Sequence, residues 1–332
     1  MISVKHNFRR QRLSWYSNSR KMSNVIKRNS ALLGASLFTV TVFAFLYKLD
    51  LILPVPPLYA RSKAVGTLNI SYEELWRKML TSSREFPPSP VLNQFRMAMT
   101  EEEYNLTMHT LKVFSKVMTA NNLTYFQYGG TLIGSVRYHG PIPWDDDIDI
   151  LIDNTKKDKI LRALRSLEPE FYLQTSTSLS GAWKFWSKHA RQPVNNIMPW
   201  KWPYLDLWFF QTDEKAGIVR EVISGIDFKL NHIFPLQPRP FGSISLMAPC
   251  ASVEFLESMY NMENCISRDF NHQAELPDRI VRYKVPCAFF DKYYPYVERE
   301  ELPTGVTEKL VFQNSVIQTV PLTASCAPAK RT

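Results

Sequence analysis

The sequence predicts an α+β domain, a mixed sheet with flanking helices, preceded by a single apolar N-terminal helix. Three observations carry this. Nineteen consecutive uncharged residues, Asn29–Tyr47, are rich in Leu, Val, Phe and Ala. Beyond them, stretches with helical spacing and stretches with strand alternation follow one another without strict βαβ repetition. Finally, four of the 11 glycines (Gly129, Gly130, Gly134, Gly140) lie within twelve positions, directly before Asp145, Asp146, Asp147 and Asp149. With 45% apolar content, 332 residues suffice for one large domain or two small ones.

The N-terminal helix is justified by its length and flanks. Nineteen residues at 1.5 Å rise span about 28 Å, enough for a thin bilayer. Residues 1–28 carry eight Lys and Arg and no acid, so the positive-inside rule keeps this tail cytosolic and places the rest in a lumen. A short span suits the thin membranes of the early secretory pathway. The reading is a single-pass type II anchor in the Golgi or endoplasmic reticulum; a cleaved signal peptide and a buried helix are the alternatives. Removing those eight from 40 basic residues leaves 32 against 31 acidic, so the net charge of +9 does not indicate a nucleic-acid-binding domain. All four cysteines (Cys250, Cys265, Cys287, Cys326) and the sequons at Asn69, Asn105 and Asn122 follow the span. No Cys-x-x-Cys occurs, and the sequence leaves the disulfide pairing open.

Prolines 54, 56, 57, 87, 88 and 90 flank an amphipathic stretch around Tyr72–Leu80, which reads as a lumenal stem. Thr100 and Glu103 form a capping box that opens a helix ending near Asn121–Asn122. A short strand over 124–128, the glycine turn and a helix over about 131–138 come next. Residues 147–152 alternate as a strand and 156–167 are helical, followed by strands near 171–175, 182–188 and 204–210. A strand over 244–247 and a helix over 251–260 complete the assignable elements; past Glu308 no periodicity is placed.

Alternate side chains of a strand share a face, so Asp145, Asp147 and Asp149 project together if pairing extends back that far. Asp146, Ile148 and Ile150 then face the other way. Three clustered carboxylates repel unless a cation lies among them, and Mg²⁺ or Mn²⁺ would relieve this while bridging phosphate oxygens. A solvated acidic turn is the plainer alternative. Asp206, inside the apolar run Tyr204–Trp208, is a further ligand or general base, with His189 a second candidate base. The Gly129-Gly130-Thr131 turn precedes a helix whose amides can face a phosphate, and Arg137 could reach a diphosphate. It is neither a Walker loop nor a dinucleotide fingerprint. Trp144 could stack on a base, and Lys184, Lys188, His189 and Arg191 form a second cationic stretch, either a solvated face or a phosphate contact.

The block Tyr128–Arg137 with Ile142–Asp149 resembles the central motif of the LicD/fukutin family of nucleotidyltransferase-fold phosphotransferases. Tyr204-Leu205-Asp206, Phe234-Pro235-Leu236 and the Ala248–Tyr260 stretch also fit, so the similarity covers about 100–261. It implies a nucleotidyltransferase-like fold and a phosphotransferase that moves a phospho-alcohol, ribitol phosphate or phosphocholine, from a CDP-activated donor to a glycan on protein or lipid. By the resemblance, Asp145, Asp147 and Asp149 hold the metal, while Gly130, Arg137 and Trp144 contact the donor. Type II Golgi topology and assembly with other Golgi transferases are further implications. The cysteine zinc site of fukutin-related protein is missing from this chain. The organisation is then a tail over 1–28, an anchor over 29–47, a stem over 48–94, a LicD-like domain over 95–307 and a C-terminal tail over 308–332. A metal-dependent glycosyltransferase using a nucleotide-sugar and a non-catalytic partner of another transferase are the competing functions.

Overall fold

The computed structural model describes residues 64, 66–175, 181–194, 197–278, 282–303, 305–323 and 326. The chain divides into residues 1–54 and 55–332, and every described residue belongs to the second unit. The expected basic tail and transmembrane helix therefore lie outside the described residues. Among the described residues no helix is long and apolar enough to cross a membrane.

The described chain begins with β1 (Gly66–Thr67) and α1 (Tyr72–Ser82). Ser71 caps α1 by accepting from the Glu74 amide, and Glu73 and Glu74 suit the positive end of the helix. Leu75, Trp76 and Met79 form a fully buried stripe, with Trp76 stacked on Tyr104 at 4.2 Å between centroids. This segment was expected in the stem because of its flanking prolines. Its apolar face instead packs into the core, so the domain begins earlier than residue 95.

Helix α2 (Glu101–Ala120) has the expected capping box between Thr100 and Glu103. It is followed by β2 (Tyr125–Gln127), α3 (Gly129–Tyr138), β3 (Asp149–Asp153), α4 (Lys157–Arg165), β4 (Phe171–Gln174), β5 (Trp183–Ser187) and β6 (Leu205–Asp213). These strands form a mixed sheet in the order β2-β3-β6-β5-β4, extended by β7 (Ile218–Glu221) and β8 (Asp227–Lys229) along the distal part of β6. Ile150, Leu151 and Ile152 are all fully buried, as a central strand covered on both faces requires.

The second half carries α5 (Leu230–Ile233), the hairpin of β9 (Gln237–Phe241) and β10 (Ile244–Ala248), and α6 (Ser252–Glu257). A long hairpin comes next: β11 (Asn264–Ile266), β12 (Phe270–Asn271), β13 (Leu276–Pro277) and β14 (Lys284–Pro286), with β11 paired to β14 and β12 to β13. Finally β15 (Tyr296–Leu302), β16 (Gly305–Phe312) and β17 (Ser315–Thr323) join β1 in a sheet of order β1-β17-β16-β15. Residues 308–312 and 315–323, expected as tail, are thus strand. Buried Glu308 fastens this sheet to the domain through Arg239 and His139, and also pairs with its register partner Arg299 on β15. Disulfides Cys250–Cys326 and Cys265–Cys287 close the last region and the base of the long hairpin.

Candidate active site

The site forms where β2 turns into α3. Gly129 has φ +50, and a Cβ there would lie 2.9 Å from Asp149 Oδ2. A Cβ on Gly130 would lie 2.9 Å from Asp145 Oδ2. The two glycines therefore let two carboxylates rest against the first turn of a helix, where the amides carry partial positive charge. The Thr131 hydroxyl accepts from the Asp149 amide at 2.7 Å, so it anchors the start of β3.

Burial alternates strictly from Asp145 to Ile150: the residues of the Asp145–Asp147–Asp149 series are partly exposed and their neighbours are buried. Strand pairing nevertheless reaches back only to Asp149, with the Ile148 carbonyl accepting from the Asp206 amide at 2.8 Å. Asp145, Asp147, Asp149 and Asp206 all line one cleft of about 430 Å³, which also meets Gly129, Gly130 and His272. Asp149 and Asp206 are register partners on parallel β3 and β6. Lys184 is the partner of Asp206 on antiparallel β5, and its Nζ lies 2.8 Å from Asp206 Oδ1. Both are buried, and the ammonium also lies 3.7 Å from the Tyr204 ring centroid.

Asp146 faces away from the cleft, as expected, and is nearly fully buried. It is well provided: His272 Nδ1 lies 3.1 Å from Oδ1, while the Gln273 amide (3.2 Å) and Arg268 (3.3 Å) meet Oδ2. The other face of His272 meets the cleft, with Nε2 3.4 Å from Asp147 Oδ2.

Burial and the neighbouring Asp206 push Asp149 up to about 7. Burial also raises Asp147 well above the usual carboxylate range, aided by Asp145, Asp149 and Asp206 against the opposing influence of His272. Asp145 is raised by burial and by Asp146. Burial alone would lower His272, but Asp147 and Asp146 outweigh it and lift the imidazole to about 10. Burial and mutual repulsion oppose the joint ionisation of Asp145, Asp147 and Asp149, and a cation among them would relieve this. Two sets of three donors converge among the described residues, each within 4.8 Å: Asp147, Asp206 and His272, and Asp145, Asp146 and His272. The oxygen-rich donor set fits a divalent ion. The convergent sets differ from the expected triple, since Asp149 Oδ1 accepts from Trp208 Nε1 at 2.8 Å while its Oδ2 borders Gly129.

The other expected contacts are placed differently from one another. Arg137 borders the cleft but donates to the carbonyls of Met262 (2.7 Å) and Asn264 (3.2 Å), tying down the loop before β11. Trp144 also borders the cleft, yet it is buried among Phe95, Tyr138 and Phe290, and its indole N–H donates to Ile266 at 2.9 Å. An indole packed this way has little open face for stacking. The cationic stretch is dispersed: Lys184 pairs with Asp206, Lys188 with Glu170, and Arg191 with Glu103. His189 is exposed and is not among the residues lining the cleft, so it does not serve as a base there. Sequence reasoning missed His272 and Arg268. His272 stands 126 residues from Asp146 in a stretch with no periodicity, and only the hairpin brings the two together.

Residues 122–251 match the LicD/FKTN/FKRP nucleotidyltransferase domain. Over that segment the chain is similar to the LicD family. An uncharacterized protein of Rickettsia prowazekii is 28% identical over 156 residues, covering 45% of this chain and 52% of the relative. A second, from Rickettsia typhi, is 26% identical over 167 residues, covering 50% and 48%. The lipopolysaccharide cholinephosphotransferase LicD of Haemophilus influenzae is 41% identical over 49 residues, 15% of this chain and 18% of that protein. The chain thus spans about half the length of the two rickettsial relatives. The LicD match contains the glycine turn, the aspartates, Lys184 and Asp206, whereas α1, α2, the long hairpin and the C-terminal sheet lie largely or wholly outside it.

Proposed function

We propose that this chain is a metal-dependent phosphotransferase of the LicD family. It would move a phospho-alcohol of the ribitol phosphate or phosphocholine class from a CDP-activated donor to a glycan hydroxyl, with release of CMP. The observation that carries this is the seating of Asp145 and Asp149 against Gly130 and Gly129 at the start of α3, beside Asp147 and Asp206. That arrangement sets acidic ligands next to helix amides suited to phosphate oxygens. The cholinephosphotransferase named among the relatives supports the reaction class.

Asp147 and Asp206 would hold a divalent cation, with Asp145 beside them; such an ion would supply charge stabilisation to a diphosphate. The amides of the first α3 turn orient the phosphate. Asp206 is better suited to ligation than to proton transfer, because Lys184 already occupies its Oδ1. Asp149 lines the same cleft and is the candidate general base that takes the proton of the attacking hydroxyl. In the cell, the basic tail and the 29–47 span would hold this domain on the lumenal side of Golgi or endoplasmic reticulum membranes.

The test offers the full-length chain CDP-choline, CDP-ribitol and a set of nucleotide-sugars with Mn²⁺ or Mg²⁺. Cation-dependent CMP release from a CDP-alcohol is expected. Release of a nucleoside diphosphate from a nucleotide-sugar would instead make it a glycosyltransferase, and no turnover with any donor would leave the non-catalytic reading.

A further inference from the structure

The tip of the long hairpin is held in place from both sides. Glu275 adopts φ +54 and accepts from Trp200 Nε1 at 2.8 Å and from the Tyr204 hydroxyl at 2.6 Å. A non-glycine residue in that conformation persists where its surroundings over-determine it. Cys265–Cys287 closes the base of the same hairpin. This rigid tip presents His272, and Asp146 fixes the ring. With Asp146 Oδ2 occupied by the Gln273 amide and Arg268, Oδ1 accepts from Nδ1 of His272. Nε2 is left facing Asp147, on the side where Asp206 also converges. A carboxylate that anchors one imidazole nitrogen while the other looks toward acidic oxygens is the outer support typical of a metal-ligating histidine. The alternative donor set built on Asp145 and Asp146 is less suited, because both oxygens of Asp146 are already engaged.

We infer that His272 Nε2, releasing its proton to solvent as the cation enters, is a nitrogen ligand of the cation held by Asp147 and Asp206, and that Asp146 is the positioning residue that turns the ring toward it. The inference rests on the cation reading proposed above and adds a residue from outside the matched 122–251 domain. It also sets the metal preference. Imidazole nitrogen suits first-row transition ions, whereas Mg²⁺ prefers an all-oxygen octahedron. The site therefore favours Mn²⁺ over Mg²⁺.

The test titrates Mn²⁺ and Mg²⁺ into the full-length chain by calorimetry and records electron spin-echo modulation of the Mn²⁺-loaded protein, which detects directly bound nitrogen. Wild type is expected to show nitrogen modulation and a Mn²⁺ affinity at least about tenfold above that for Mg²⁺. His272→Ala loses the modulation and about 10–100-fold in Mn²⁺ affinity, with Mg²⁺ affinity changed less than about threefold. Asp146→Asn keeps the ring but weakens Mn²⁺ about tenfold and reduces the modulation. His272→Gln is read in parallel, with melting curves confirming that each variant folds. Tight Mn²⁺ binding without nitrogen modulation in wild type overturns the role of His272 and leaves the carboxylate site standing. Failure of wild type to bind either ion overturns the cation reading itself, and this inference with it.

Discussion

Asp149 and Asp206 are register partners on the adjacent parallel strands β3 and β6, so two carboxylates emerge side by side from the centre of the sheet. Neighbouring strands are about 4.8 Å apart, a distance at which two like charges in a partly buried cleft repel strongly. The folded domain offsets this with Lys184, which neutralises Asp206, and with Trp208, which donates to Asp149. The arrangement costs stability in return for a place suited to a cation.

Replacing these acids should separate function from folding. Asp147→Asn and Asp149→Asn are expected to lower CMP release by about 100-fold or more. Their melting temperatures should stay at or above wild type, because each removes a like charge from the cluster. Wild-type turnover in either variant would refute the assignment of that residue.

The two glycines should respond differently. Gly129→Ala forces a side chain into a left-handed backbone and against Asp149, with an expected cost of about 1–2 kcal/mol in denaturant unfolding. Gly130→Ala carries no such backbone penalty; its Cβ presses on the movable Asp145 oxygen and meets Ile142 Cδ1 at an ordinary 3.8 Å, so stability should hold while cation affinity falls. Equal destabilisation by both would contradict this distinction.

Lys184→Ala leaves the Asp206 carboxylate buried without its partner. A loss of about 3–5 kcal/mol is expected, as for other broken buried pairs. The double replacement Lys184→Met/Asp206→Leu should recover most of it, although without activity. Chemical denaturation of wild type, Lys184→Ala and the double variant measures both changes; no recovery in the double variant would show that the pair is not what the single change disrupts.

Acid should loosen the C-terminal sheet through Glu308. Burial works against its charge, but His139, Arg239 and Arg299 prevail and hold the carboxyl at about 2, from an ordinary 4.5. Because the folded value is the lower one, the stabilisation is complete above about pH 4.5 and is lost as pH falls toward 2. That difference corresponds to about 3 kcal/mol. Glu308→Gln should flatten the stability profile over this window, and an unchanged acid limb would refute the assignment.

Divalent cations should stabilise the chain more at high pH than at low pH. Asp149 is raised to about 7 in the folded domain without a cation, so its contribution is present below about pH 4 and is lost as pH rises through 7. A cation that replaces the proton removes this loss. The shift in melting temperature on adding Mn²⁺ should therefore be larger at pH 8 than at pH 5. A shift independent of pH would count against coupled binding at these carboxylates.

Most elements of the half that carries the candidate site were legible from local pattern. The Thr100–Glu103 box placed α2, the Asp147–Ile152 alternation placed β3, and the apolar runs around Phe185 and Leu207 placed β5 and β6. The face shared by Asp145, Asp147 and Asp149 was legible too, even though pairing stops at Asp149. The long hairpin and the strands after Glu308 were not. Their strands are short or largely polar, and their pairing joins residues far apart, such as Gly66 with Ser315. Arg137 and Trp144 were placed near the donor by motif alone, which does not show that their N–H groups are already given to backbone carbonyls.

By itself the sequence determined the α+β character of the domain, the glycine-then-aspartate core of the site and the family resemblance. Each of these is local, written in spacings of a few residues. Tertiary structure alone decided that Lys184 answers Asp206, that Cys250 pairs with Cys326 and Cys265 with Cys287, and that His272 closes the cleft. Those relations depend on strand register and chain return over tens to hundreds of residues, and no periodicity in the chain encodes them.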